Sequence, residues 1–594
     1  MKVMFKYSIP VLFNVFIFTT ILSVWGGELP KFEDFQPNRP VLDLPVTDQK
    51  IVLAHFMTGA FVRDSQFRDR FLSYEDFVHD GITANVGGES QILPIDYYFN
   101  FKKSTVEAAA FHIKTAKKLG IDGFQFFYPF PPGEVFQRNY NNIIIDFFKA
   151  AETIGVDFKF SLCLCSPPLN KNEDKKIEVF AKGFREILDA VGEDNKFWMK
   201  TPDGRFLTYL WVGDTLTDAV REAGWDFRKK ADTVLPRMAY AYEKLSHKIG
   251  IEQAYIYQIR WVDDPNYIQR TLEYFPAVWN WTENMYNKQA WLDLAKLCKE
   301  KKRTFSQGVY PDYYGSKLYK KSKNDYGMYH FLKEVQKLKI DEVEHDYYYM
   351  GITDVYLDYL NRILETETPL ISFITYNDYA EGHHVAPEVN HQFGFAVLFN
   401  HYKNIWQEHP EKNRREFAVL AYKKYRHDVI PEPYHIEFRG KNNQQPFFEP
   451  ESDDFIHIVT FLKKPAAIFL NSNKIADAKG KGDIEVFKVP MQSGKVELRI
   501  DRETETVIQL TGTEWITDKP FRTDRLTYCL SSECDHYYSE IFGQNAPRYF
   551  LQQYAEDESG VPFWKQGKSI GVRYSDGKTG SATTFEPDQS PEWH

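Results

Sequence analysis

LISFITYNDYAEGHHVAP, residues 370–387, joins an apolar run to two acids and two imidazoles, with Asp378, Glu381, His383 and His384 inside seven positions. The apolar part has the length of a buried strand, and it closes a series. Seven similar runs precede it: IVLAHFM (51–57), GFQFFYPF (123–130), FKFSLCLC (158–165), RFLTYLWV (205–212), AYIYQIRWV (254–262), PAVWNW (276–281) and RTFSQGVYP (303–311). Stretches of helical periodicity separate them. Ser104 and Glu107 form a capping-box pattern before AAAFHIKTAKKLG, and NNIIIDFFKAAETIG and AYAYEKLSHKIG end in glycine. HQFGFAVLFNHYKNIW supplies a closing helix after the eighth strand. Eight strand–helix units give the α/β count of a (β/α)8 TIM-type barrel over 45–425. An open doubly wound sheet competes, but no Gly-rich phosphate loop follows the first strand.

The largest extra segment, 58–103, reads as a loop over the barrel mouth. After RHDVIPEPYH (426–435), a proline-marked linker, apolar residues alternate at period two in FIHIVTFLKKPAAIFLN, IEVFKVPM, KVELRI and TVIQL. That pattern predicts an antiparallel β-sandwich over 433–525. Its strands offer little exposed aromatic surface, which favours a packed appendage over a binding module. Residues 526–594 show no clear periodicity and stay unassigned.

At the other end, Lys2 and Lys6 precede a mostly apolar run over 8–24 and the small residues Gly26 and Gly27. This is the pattern of a signal peptide over 1–26 and so of a secreted, periplasmic or cell-surface protein. An uncleaved anchor is the alternative, weakened by Pro10 and Asn14 within the run. The net charge of −10 argues against nucleic acid or an anionic membrane as partner. Five cysteines make no disulfide framework. Cys163 and Cys165 read as small strand hydrophobes, while Cys529 and Cys534 are close enough to bridge a surface loop. No Cys/His spacing suggests zinc, so no metal and no cofactor are expected.

In a parallel barrel, reactive groups come from the carboxyl ends of the strands. Asp122 opens the second strand and is therefore structural. Asp214, Asp263, Glu283, Asp312, Asp378 and Glu381 all follow strand ends. Asp378 and Glu381 are the densest pair, and two carboxylates flanking one bond suit glycoside hydrolysis. The plainer reading makes NDYAE a turn capped by Asp378. His383 and His384 read as ligands or as hydrogen-bond donors to sugar hydroxyls, although either one alone is more often a satisfied polar side chain. His55, Tyr128, Trp211, Arg260, Trp261, Trp281 and Tyr310 also lie at strand ends. Aromatic residues are 16% of the chain, enough to line a sugar-binding cleft or to fill a ring-rich core. Arg260 has a second reading, as the partner of a buried acid. Asn280, within a glycosylation sequon, sits at a strand end where a glycan would not fit.

IVLAHFMTG, AKKLGIDGFQF, FPAVWNW and above all ISFITYNDYAEGHHVAP resemble the motifs of glycoside hydrolase family 71, the α-1,3-glucanases or mutanases. The resemblance spans roughly 50–515 and includes the β-sandwich that follows the family's barrel. It implies an inverting endo-hydrolase of α-1,3-linked glucan, with Glu381 as general acid and Asp378 as the base directing water. His55, Asn377 and His383 would bind sugar hydroxyls. Tyr376, Ala380 and His384 depart from the family's Trp, Gly and Tyr. Tyr376 is still counted with the substrate-binding residues. These departures leave open another α-linked polysaccharide, such as an α-mannan or decorated glucan, or a non-catalytic carbohydrate-binding protein.

Overall fold

The computed structural model describes residues 29–61, 105–165, 167–281, 288–320, 328–329, 343–347, 352–379, 381–388, 390–429, 437–440, 454–512, 515–518, 525–543, 571–573 and 579–581. The expected signal segment, nearly all of the 58–103 loop, and Glu283 lie outside them.

All eight expected strands form, and they close into one parallel barrel. They are β1 (Ile51–Phe56), β2 (Gly123–Pro129), β3 (Lys159–Cys165), β4 (Phe206–Trp211), β5 (Gln253–Gln258), β6 (Ala277–Trp279), β7 (Thr304–Val309) and β8 (Leu370–Phe373). Closure runs through β8 and β1, with Ile51 opposite Leu370 and Ala54 opposite Phe373. A helix follows each strand and covers the barrel's outer face, ending with Gly394–Trp406 after β8. Period-two alternation then sorts the strand residues. Gln125 reaches Ser372 across the interior, and Tyr209 reaches Ser306. In register with these, His55, Phe127, Cys163, Cys165, Trp211, Gln258 and Trp279 face the lumen.

Asp122 lies at the base, as its position before β2 demands. Its carboxylate accepts from the Val52 amide and meets Lys403 at 2.6 Å and Lys117 at 2.9 Å. Burial pushes the carboxyl up, but the two lysines hold it below its ordinary range.

Two antiparallel four-stranded sheets follow the barrel. One is ordered Ile484–Pro490, Phe455–Phe461, Phe417–Tyr422, Tyr528–Ser531; the other Asn473–Ala478, Ala466–Leu470, Glu497–Arg502, Glu505–Thr511. The sandwich is therefore wider than the alternation in the sequence shows. Phe417–Tyr422 lies before the expected start at 433, and Tyr528–Ser531 lies in the stretch left unassigned. The reason is burial on both faces. Phe417, Val419 and Ala421 pack into the barrel's apolar core, while Ala418, Leu420 and Tyr422 pack into the sandwich's. A strand buried on both sides is apolar throughout and shows no alternation.

A further small sheet, unmarked in the sequence reading, pairs Tyr314–Lys320, Met328–Tyr329, Val343–Tyr347 and Glu437–Gly440. Its first three strands are inserted between β7 and β8. The expected Cys529–Cys534 bridge is absent, and both thiols are free. Cys529 is buried in a strand, whereas Cys534 opens the helix Cys534–Phe542. Among the described residues, no helix is long and apolar enough to cross a membrane.

Candidate active site

The chain leaving β8 folds back on itself before the closing helix, and backbone bonds hold it there. Thr375 N–H donates to His383 O at 2.7 Å, Val385 N–H to Thr375 O at 3.1 Å, and Ala386 N–H to Tyr376 O at 2.9 Å. Tyr376 N–H donates to His55 O, tying the loop to the end of β1. Within the loop, Asp378 N–H donates to Thr375 Oγ1, and Glu381 N–H donates to Asp378 Oδ1 at 3.2 Å. Asp378 thus does hold the turn, as the plainer reading has it. Its second oxygen faces elsewhere.

That oxygen, Oδ2, lies 3.4 Å from His383 Nε2, and Glu381 Oε2 lies 3.2 Å from the same nitrogen. The three polar atoms stand within 4.8 Å of one another. His383 and Asp378 are buried, while the Glu381 side chain is 24% exposed and is the carboxylate that opens toward solvent. Burial alone lowers the His383 pKa, but Asp378 and Glu381 outweigh it and raise the group to about 9. The carboxylates stand close together, nearer the ~5–5.5 Å of a retaining pair than the ~6.5–9.5 Å that leaves room for an inverting water.

Aromatic rings form the adjoining floor. The Trp281 ring centre is 5.8 Å from His383, 4.8 Å from His55 and 5.8 Å from Trp211. Phe127 touches both His55 and Trp211. Both ring nitrogens of His55, the indole nitrogen of Trp211 and Nδ1 of His383 are buried and have no hydrogen-bond partner among the described residues. Polar groups so placed normally find a partner. His55 also stands beside Cys163. Burial pushes that thiol up, but Cys165 and His55 pull it down to about 6.

The other sequence candidates lie elsewhere. Tyr128 is on the helix side of β2 and donates to Asn141. Tyr310 packs on Tyr359 of the helix Tyr356–Thr366, and Tyr376 stacks on Phe56 and bonds His112. All three are core residues in this structure. Asn377 clamps the Met57 backbone, accepting from its N–H at 2.7 Å. Arg260 takes the structural alternative: it pairs with buried Asp214, which also accepts from Tyr257, and lies between the rings of Trp225 and Trp261. Asp263 is an exposed surface acid. Asp312 is buried against Lys423 and His391. Asn280 is buried and accepts from Gly308 N–H, so it offers no glycan an exit.

The sequence reading missed a second buried cluster beside the first. His384 Nε2 meets Glu388 Oε1 at 3.2 Å, His391 Nδ1 lies 3.7 Å from the same oxygen, and the two imidazoles stack at 4.4 Å. Glu388 also accepts from the amides of Asn390 and His391. The i, i+4, i+7 spacing of these residues is visible in the sequence. In both clusters an imidazole already meets the acid directly, and we assign no metal to either.

The fold and this site define a (β/α)8-barrel protein with a carboxylate–imidazole–carboxylate group over an aromatic floor. No protein-family model matches the chain, and no curated protein matches it. Among solved structures, it is similar to the GH99 endo-alpha-mannosidase from Bacteroides thetaiotaomicron, at 13% identity over 62% of this chain and 99% of that one, with a TM-score of 0.38. It is also similar to the Bacteroides uniformis beta-glucuronidase, at 10% identity over 68% of this chain and 43% of that one, with a TM-score of 0.36. At these values the likeness bears on neither substrate nor residue roles.

Proposed function

We propose that the protein is a secreted glycoside hydrolase in which Asp378 and Glu381 act as the catalytic carboxylates on an α-linked polysaccharide, with α-1,3-glucan the first candidate. One observation carries this reading: two carboxylates converge at the carboxyl end of a barrel strand beside the buried His55 ring and a Trp211 indole nitrogen that has no hydrogen-bond partner among the described residues. Hydroxyl-rich substrates satisfy such groups, and pyranose faces lie on rings such as Trp281. Glu381, the more exposed of the two, is read as the acid for the leaving oxygen, and the deeper Asp378 as the nucleophile, the role that the close spacing favours over that of a base. His55, Trp211, Trp281 and His383 line the pocket, and the other residues first grouped with them support it from behind.

The test is digestion of α-1,3-glucan, α-1,4-glucan and α-mannan by the purified mature protein, with products followed by mass spectrometry and anomeric NMR. Short oligosaccharides from α-1,3-glucan support the reading. Products from another polymer keep the chemistry and move the substrate. Binding without cleavage, unchanged in Glu381→Gln, points to a carbohydrate-binding protein instead.

A further inference from the structure

Among the described residues, His383 touches both carboxylates through one nitrogen, at 3.4 Å and 3.2 Å. The ring is fully buried, so bulk water does not supply or remove its proton directly. Its orientation is set by Trp281 and Tyr313, each 5.8 Å away centre to centre, and its carbonyl is held by Thr375 N–H. Among the described residues that face it, Asp378 and Glu381 are its acids, Tyr313 offers a ring, and His384 turns instead toward Glu388. A charged imidazole there is surrounded by compensating charge, and the raised pKa of His383 agrees with that.

We propose that His383 is a positioning residue that stores the site's mobile proton and exchanges it with Glu381, its contact with Asp378 holding the ring beside both acids. This rests on reading the pair as hydrolytic. The cycle balances without any other reactant. The Nε2 proton moves to Glu381 Oε2, leaving a neutral imidazole protonated at Nδ1. Glu381 then protonates the leaving oxygen as Asp378 bonds to the anomeric carbon and the glycosidic C–O bond breaks. Water displaces Asp378 from the anomeric carbon and gives its proton to Glu381, which returns it to Nε2. Both acids thereby regain their starting charge by way of a buried imidazole, a different task from holding a sugar hydroxyl.

The experiment is nitrogen NMR of the histidine-labelled full chain across pH 5–10, with His383→Gln to assign the signal, and pH–rate profiles on the polymer that the wild type cleaves. The expected result is one imidazole that stays protonated past pH 8 and is missing from His383→Gln. That variant should lose about 10²-fold or more in kcat, with KM within about twofold, and its kcat profile should lose the alkaline limb. The double variant Asp378→Asn/Glu381→Gln should bring the His383 signal down toward the ordinary histidine range, because the two acids that favour its charged form are gone. A His383 that titrates at or below an ordinary histidine overturns the proposal. So does a folded His383→Gln variant with wild-type kcat and profile. A wild type inert on every polymer overturns the hydrolytic reading and the relay with it, whereas turnover matched by His383→Gln overturns the relay alone.

Discussion

Asp312 holds Lys423 at 3.0 Å with both side chains out of water, and the pair ties the segment after β7 to the chain leaving the first sandwich strand. Thr527 N–H donates to the other Asp312 oxygen at 2.6 Å, and His391 approaches it from the active-site loop at 3.5 Å. Burial alone raises the Asp312 pKa, but Lys423 and His391 hold it well below the usual carboxylate range. The sandwich therefore braces the loop that carries the candidate acids. Lys423→Met strands a buried charge and is expected to cost about 3–5 kcal/mol. Asp312→Asn/Lys423→Met should recover part of that loss. Urea unfolding measures both, and a Lys423→Met change within about 1 kcal/mol of wild type would count against the brace.

Glu381 and Asp378 should separate in their side effects. Glu381→Gln removes a partly exposed acid whose backbone serves the loop and whose side chain meets His383. It is expected to lower kcat about 10²–10⁴-fold and to lower the melting temperature only through the weakened His383 contact. Asp378→Ala should lose turnover as well, and also about 1 kcal/mol of stability, because Oδ1 accepts the Glu381 N–H. Equal melting temperatures for the two variants would contradict the turn-holding role.

The floor and the core residues behind it should likewise part company. Trp281 packs against His55, Trp211 and His383, so Trp281→Ala is expected to raise KM roughly tenfold, the equivalent of ~1.4 kcal/mol of lost binding. Tyr376→Phe removes only the hydroxyl that bonds His112, and should cost about 1 kcal/mol of stability with KM unchanged. A KM effect from Tyr376→Phe would put that ring back in the substrate pocket.

Much of this was legible in the sequence, for identifiable reasons. The eight strands were, because each is a short apolar run between capped helices. That Asp378 and Glu381 stand together after β8 was, because both follow the last apolar run at short spacing. The face on which a rim aromatic lies was harder, because one residue of offset moves a side chain from the lumen to the helix layer. Trp211 and Trp281 fall on the lumen side, Tyr128 and Tyr310 on the other. Phe417–Tyr422 was missed because both of its faces are buried. The His384–Glu388–His391 spacing was present but unread, since its meaning depends on the loop bringing the rings together.

The two neighbouring imidazoles should shape the stability of the protein with pH from opposite sides. His384 is pushed down to about 4, first by burial and then by His391. Its unfolded value is near 6.5, so between these values the unfolded chain binds the proton more readily. Stability from His384 is full above pH ~6.5 and is lost as pH falls toward 4. His383 is raised to about 9, so its contribution is full below pH ~6.5 and is lost as pH rises through 9. Each shift amounts to something on the order of 3 kcal/mol at full extent. The melting temperature should therefore peak in the neutral range and fall on both sides, the alkaline fall flattening in His383→Gln and the acid fall in His384→Asn. Calorimetry from pH 4 to 10 on the three proteins reads this directly, and an alkaline fall of equal size in wild type and His383→Gln would remove His383 as its source.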